Sequence, residues 1–328
     1  MKLINEYFSG LLVFFTSPIM YGCISEVSLV LPHNNRKVVI EGLLTDEVYD
    51  KAFQESHLRE SEGNYVRLSY SDPVNFDDPL AIYPGTSNYT RDQSSPIRNA
   101  LVWISDDLGQ IDTLVADSAQ NEPFIGYYTP RKLICGAGRT YILNVRIEND
   151  LYWATAYMPK VPIIDSVTSV YVKKPIEKFS GYLPVIYFRD NPSTVDYFMP
   201  KVVVVPSYTD AETPSFPHFN SGIGGRIWNY NTLSDTFLPE YVSGLTLKLG
   251  TTSSSYFTSS LELGQTYDAC LFSLTKEAFD YYSTLIGQFE SDGGAYKPTP
   301  ASAPTNIKGG ALGFFNASSA SVKRFKVE

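Results

Sequence analysis

The chain has 328 residues, of which 43% are apolar and 19% charged, and carries a formal net charge of −9 at pH 7. That length allows two ordinary domains, and the composition is globular rather than disordered or collagen-like. The acidic balance argues against a nucleic-acid backbone as partner, which demands a basic face.

Residues 1–22 read as an export signal. Lys2 supplies a positive charge, 11–15 (LLVFF) is an apolar run, and 19–21 extends it past Pro18. This is too short and too interrupted for a membrane-spanning helix. Gly22-Cys23 then matches the end of a bacterial lipoprotein signal. Cys23 is the expected lipidation site, and a diacylated, N-acylated cysteine suffices for stable anchoring. The alternative is a simple signal followed by an ordinary cysteine. Residues 23–37 are polar and read as a tether.

From residue 38 the chain is strand-like. Segments 38–45 (VVIEGLLT) and 64–71 (NYVRLSYS) are strands, the second alternating cleanly. Residues 71–99, with Pro73, Pro79, Pro84 and Pro96, form a long insertion. Asp72, Asp77 and Asp78 within it lack the spacing of a calcium loop and read as solvated. Residues 100–105 (ALVWIS) are a strand, 106–109 a turn and 111–115 the hairpin partner. Segment 126–129 begins another strand. The turn 135–138 precedes strand 140–148, and Asn149-Asp150 turns the chain into 151–158. Regular short strands without helices predict a β-sandwich over 38–158, immunoglobulin-like or transthyretin-like. Trp103 and Trp153, inside strands, are expected to anchor its core.

Pro159-Lys160-Val161-Pro162 marks a boundary, and 159–328 is expected to be a second β-rich domain. Its strands are predicted at 167–173, 183–188, 197–205, 245–249, 263–271 and 312–315. Residues 206–241 form a second insertion rich in Gly and Pro. One amphipathic helix is predicted at 275–290. Phe279, Tyr282, Leu285, Ile286 and Phe289 fall in one stripe. Lys276, Glu277, Asp280, Thr284 and Gln288 fall opposite. Ser273 or Thr275 can cap the first turn, and Asp292-Gly293-Gly294 ends the helix. The helix needs a sheet face on which to bury its stripe. Cys135 and Cys270 are expected to be free, buried thiols, with a disulfide as the alternative an oxidising compartment would permit.

The chemistry-bearing motifs are absent. His33, His57 and His218 are the only histidines, and none sits at zinc-ligand spacing. There is no nucleophile elbow and no phosphate loop. No metal site and no cofactor are expected, and no carboxylate pair stands out from the acidic background.

Several segments carry a family resemblance. They are EGLLTDE at 41–47, ALVWISDDLGQ at 100–110, GAGRTYILNV at 136–145, IDSV at 164–167, FDYYSTLIGQ at 279–288 and TNIKGGALGFFNAS at 305–318. In order and spacing the chain resembles the Bacteroidota lipoproteins of the domain-of-unknown-function 4249 family, over nearly the whole mature chain. The resemblance implies an exported, lipid-anchored outer-membrane protein, on the cell-surface or periplasmic face. It also implies a TonB-dependent receptor as partner and a non-enzymatic, accessory role in nutrient capture or uptake. It carries no catalytic residues. A cell-surface adhesion or structural role is the main alternative, and a hydrolase with an unrecognised carboxylate pair the third. For a ligand or partner contact, the insertion 206–241 is the expected surface. Phe216, His218, Phe219, Arg226, Trp228 and Tyr230 are gathered there, and aromatic and Arg side chains dominate binding hot spots. The competing reading folds those aromatics inward as a small core.

Overall fold

A computed structural model of the protein describes residues 36–46, 64–71, 95–116, 126–174, 179–204, 232–247, 260–290 and 302–328. In chain order the strands begin with β1 (Val38–Thr45), β2 (Tyr65–Tyr70), β3 (Ser95–Pro96), β4 (Ala100–Asp106), β5 (Ile111–Thr113) and β6 (Val115–Ala116). They continue with β7 (Tyr127–Thr129), β8 (Thr140–Ile147), β9 (Asp150–Tyr157), β10 (Ile164–Lys174), β11 (Phe179–Arg189) and β12 (Tyr197–Val204). The last are β13 (Leu233–Ser234), β14 (Tyr241–Thr246), β15 (Thr266–Leu274), β16 (Leu312–Ser318) and β17 (Ala320–Lys326), with helix α1 (Lys276–Glu290) between β15 and β16. The fold is predominantly β, as expected, with open sheets and one helix among the described residues.

Four sheets result. Sheet I runs β16-β1-β2-β7-β6, with β3 also on β2; sheet II runs β5-β4-β8-β9. Sheet III runs β13-β12-β15-β17, and sheet IV runs β10-β11-β14. Period-two alternation decides which residues each face offers. Ile40, Leu44, Val66 and Leu68 of sheet I share one core with Val102, Ile104, Leu143 and Val145 of sheet II. Leu43, Tyr65, Tyr127 and Phe314, from the other face of sheet I, meet Phe272 and Leu274 of sheet III and Ala278 and Tyr281 of α1. Sheet I is therefore buried on both faces. The opposite face of β15, with Tyr267, Ala269 and Leu271, packs on Ile164, Ile186 and Phe188 of sheet IV.

The chain closes on itself through β16, which pairs parallel with β1 from Val39↔Leu312 to Thr45↔Ser318. Two glycines allow this approach. A Cβ on Gly42 would lie 2.6 Å from the Phe315 ring, its cross-strand partner. Gly313 has φ +96°, and a Cβ there would meet the Ile40 carbonyl at 2.1 Å, so both conformation and space require glycine. The free side of β16 is occupied by Asn306, whose side chain accepts from Phe315 N (2.9 Å) and donates to Phe315 O (2.7 Å). The amide thus imitates a neighbouring strand at a sheet edge.

Several expectations need correction. Trp153 is 45% exposed and Trp103 half-buried; neither anchors the core. On β9 the inward positions belong to Ala154 and Ala156, which turns Trp153 outward, and on β4 Val102 and Ile104 do the same to Trp103. The return strand at 111–115 splits: Ile111–Thr113 pairs with β4, while Val115–Ala116 crosses to sheet I. The strands expected at 245–249 and 263–271 lie at Tyr241–Thr246 and Thr266–Leu274. Strand β17 was not anticipated.

The helix forms where its spacing places it. Thr275 caps it, its hydroxyl accepting from Ala278 N at 3.2 Å. Ser273 instead joins Pro159 O and Ser319 N, at 2.7 and 2.9 Å. The deepest helix residues are Ala278 and Tyr281, with Phe279, Tyr282, Leu285 and Ile286 half-buried around them. The Tyr281 ring stacks on Phe314 at 4.7 Å. Lys276 and Glu277 are exposed, but Asp280, Thr284 and Gln288 are half-buried, because the helix lies against two sheets and its apolar arc is wide. The side chain of Phe289 and residues 292–294 lie outside the described residues.

Candidate functional site

Cys23 and the expected contact residues Phe216, His218, Phe219, Arg226, Trp228 and Tyr230 lie outside the described residues, as do Asp72, Asp77 and Asp78. What the structure does place is the chain on either side of 205–231, together with the buried carboxylates.

Four aspartates are buried among the described residues: Asp106, Asp112, Asp190 and Asp235. A buried carboxylate needs donors or a counter-charge. Asp112 has three donors on one oxygen, the backbone N–H groups of Arg131, Lys132 and Leu133 at 2.7, 2.6 and 2.9 Å. It fastens the segment after β7. Asp106 accepts from Leu108 N, Gln110 N and Gln110 Nε2, and pairs with Arg139. It builds its own turn. Both are structural.

Asp190 and Asp235 are different. They are 7% and 5% exposed, yet Oδ1 of each is buried with no hydrogen-bond partner. Asp190 follows the last residue of β11, Asp196 immediately precedes β12, and Asp235 follows β13. Local backbone bonds bring the three together. Asp196 N donates to Asp235 Oδ2 at 2.9 Å, and Asp235 N returns a bond to Asp196 O at 3.1 Å. Asp190 N donates to Glu240 O at 2.8 Å, while Thr194 Oγ1 donates to Asp196 Oδ2 at 2.8 Å. One carboxylate oxygen from each residue lies within 4.8 Å of the others. Burial, and then the charge of Asp235, push the Asp190 carboxyl up to about 6 against a backbone hydrogen bond from Asn191. Chemically, three carboxylates this close call for a shared proton or a cation.

A second feature is the outer face of sheet II. Leu101, Ile142, Leu151, Trp153 and Tyr157 are all exposed there. The pairing aligns Trp103, Asn144 and Trp153 in one rung, and Leu101, Arg146 and Leu151 in the next. The Arg146 guanidinium covers the Trp103 ring at 5.7 Å, a cation–π contact. Isolated apolar residues on a surface are ordinary, whereas a contiguous set marks a contact face.

Neither Cys135 nor Cys270 is in a disulfide. They belong to different cores, one beside sheet II and one beside α1. Burial pushes the Cys135 thiol up to about 12, which leaves it unreactive at neutral pH.

The family profile for the domain of unknown function DUF4249 matches residues 24–324. The chain belongs to this family. No curated protein matches it. The segments through which DUF4249 is legible in the sequence have structural work here. EGLLTDE supplies the second half of β1, FDYYSTLIGQ supplies most of α1, and TNIKGGALGFFNAS supplies β16 with its Asn306 brace. They converge on the two faces of sheet I and build the core rather than a ligand pocket.

Proposed function

We propose that this DUF4249 protein is an exported lipoprotein of the outer membrane, anchored through Cys23. In this reading it serves as a non-enzymatic accessory subunit of a TonB-dependent receptor in nutrient capture or uptake. The observation that carries the reading is the extent of the family match. It begins at residue 24, directly after the Gly22-Cys23 step that ends the signal-like segment. Among the described residues no helix is long and apolar enough to cross a membrane; the anchor in this reading is the lipid on Cys23. The receptor contact falls to the outer face of sheet II and to the insertion 206–241. We read 38–158 as an immunoglobulin-like or transthyretin-like β-sandwich, and 159–328 as a second β-rich domain. Sheets I and II share a core that supports the two-sheet reading of the first part, with β16 of 159–328 added to sheet I and to that core. A non-enzymatic role agrees with the state of Asp106 and Asp112, two buried carboxylates saturated by structural donors.

Mild-detergent extraction and affinity capture from the native membrane test the proposal. A large β-barrel receptor should co-purify with the wild type, less of it with Trp153→Ala, and Cys23→Ala should leave the membrane fraction. Capture of no barrel by a folded, membrane-bound wild type would remove the receptor reading. Capture of a matrix or host protein instead would favour an adhesion role.

A further inference from the structure

We propose that Asp190, Asp196 and Asp235 form a site for one hard divalent cation of the calcium type. The argument begins with the unfilled oxygens. In a fold that gives Asp112 three backbone donors and Asp106 three donors and an arginine, Asp190 and Asp235 each retain a buried Oδ1 with none. Burying one carboxylate without a partner is costly, and burying two side by side more so. Among the described residues, no lysine, arginine or histidine pairs with any of the three. Arg189, next in sequence, is turned outward onto Glu240 at 3.1 Å and over the Tyr241 ring. Among the described residues, then, none supplies the counter-charge the cluster needs.

The geometry favours a single ion. The three oxygens lie within 4.8 Å of one another. Two ligands of one calcium, at about 2.4 Å each, are separated by at most about 4.8 Å. The donors are all oxygen, with no thiolate or imidazole, which selects a hard cation over zinc or copper. Three carboxylates provide fewer than the six to eight oxygens calcium takes, and water completes the shell. The ligands are positioned before binding. Asp235 Oδ2 and Asp196 Oδ2 are held by Asp196 N and Thr194 Oγ1, and the unfilled Oδ1 atoms of Asp190 and Asp235 are free for the ion.

Placement gives the site a task. It ties the turn after β11 to the start of β12 and to the segment after β13. An ion here fixes these three segments against one another. The inference stands apart from the receptor proposal, since a cation that braces this junction needs no partner protein.

The test uses the full chain, stripped with EDTA and returned to buffer. Isothermal titration should show one calcium bound per chain, with magnesium weaker. Calcium at 10 to 100 times its Kd should raise Tm by about 2–5 °C. Asp190→Asn and Asp235→Asn should each abolish the calcium-dependent shift, while Asp280→Asn, whose carboxylate pairs with Lys276 on α1, should keep it. Each of the two side chains accepts one backbone N–H, which an amide oxygen retains; if Asp235→Asn nonetheless fails to fold, Asp190→Asn alone decides. A folded wild type that neither binds calcium nor changes Tm overturns the proposal. So does calcium binding that survives in folded Asp190→Asn. A wild type indifferent to calcium whose Asp190→Asn variant is more stable in EDTA would assign the cluster to a shared proton instead, and overturns it equally.

Discussion

Replacing Gly42 by alanine tests the closure of the chain by β16. The backbone at Gly42 has an ordinary conformation, so the whole effect is steric. The new methyl would lie 2.6 Å from Phe315 Cδ2 and 3.4 Å from Cε2. Phe315 is fully buried and clamped through its backbone by Asn306, so the ring has no route outward. Overpacking of this kind costs about 1–3 kcal/mol. Phe315→Ala alone should cost about 3–5 kcal/mol, as for other fully buried aromatic rings. With the ring gone, the clash is gone too, and the Gly42 methyl would partly fill the cavity. Gly42→Ala in the Phe315→Ala background should then be neutral or slightly stabilising. The double-mutant cycle should return a coupling of about 1–3 kcal/mol. Urea denaturation followed by fluorescence and circular dichroism measures all four proteins. Gly42→Ala costing the same in both backgrounds would refute the parallel register, because Gly42 and Phe315 would then not be neighbours.

Three further outcomes follow. Tyr281→Ala should cost about 3–5 kcal/mol and Glu277→Ala under about 0.5 kcal/mol, read as denaturation midpoints; similar midpoints would mean that the helix face is misplaced. Native protein should react negligibly with a thiol reagent at pH 7.5, and denatured protein should release the two thiols of Cys135 and Cys270; finding none after denaturation would reveal a disulfide. In EDTA, the raised folded-state value of Asp190, about 6 against 3.8, means that its stabilising contribution is complete below pH 3.8 and is lost as pH rises through 6. The stability difference between Asp190→Asn and wild type should therefore move toward the variant between pH 4.5 and 7.5, by at most about 3 kcal/mol, and a pH-independent difference would refute the assignment.

What the sequence revealed depended on whether a signal was local. β1, β4, β8 and α1 were legible because alternation, the turn residues at 106–109 and 149–150 and helical spacing act within a few residues. The deepest helix residues were not. Ala278 is small and Tyr281 amphipathic, so a stripe drawn through the larger apolar side chains passed beside the true centre, which Phe314 fixes from 33 residues away in sequence. β17 was missed because its ASVKRFK has a charged outer face and only Val322 and Phe325 hint at a strand; its pairing with β15 is what makes it one. The acidic triad left no trace. Positions 190, 196 and 235 follow no ligand spacing, and only the return of the chain through β13 onto the start of β12 unites them. The lipidation and insertion contacts remain sequence readings on residues outside those described.

The misreading of the tryptophans is the more instructive case for function. A tryptophan inside a strand usually goes inward because burying it removes a large apolar surface from water, at about 25 cal/mol per Å². Here each strand had a choice of face. β9 gave the inward face to Ala154 and Ala156 and the outward face to Leu151, Trp153 and Tyr157. The small inward residues join Val102 and Ile104 of the same sheet in the core that sheet II shares with sheet I and its Tyr128 ring. The same register leaves Leu101, Ile142, Leu151, Trp153 and Tyr157 in water, aligned across three strands, with Arg146 laid over Trp103. Folding alone gains nothing from that arrangement, since polar side chains would serve an outer face equally well. A binding partner does gain from it: flat, rigid aromatic area carries contact energy with little side-chain entropy to lose. Trp153→Ala therefore separates the two roles. It should lower Tm by less than about 2 °C, because the ring is 45% exposed and lies outside the core. It should nonetheless weaken retention of a membrane partner. A Tm loss of the size expected for a buried aromatic would return the residue to the core, and unchanged retention would strip this face of its proposed role.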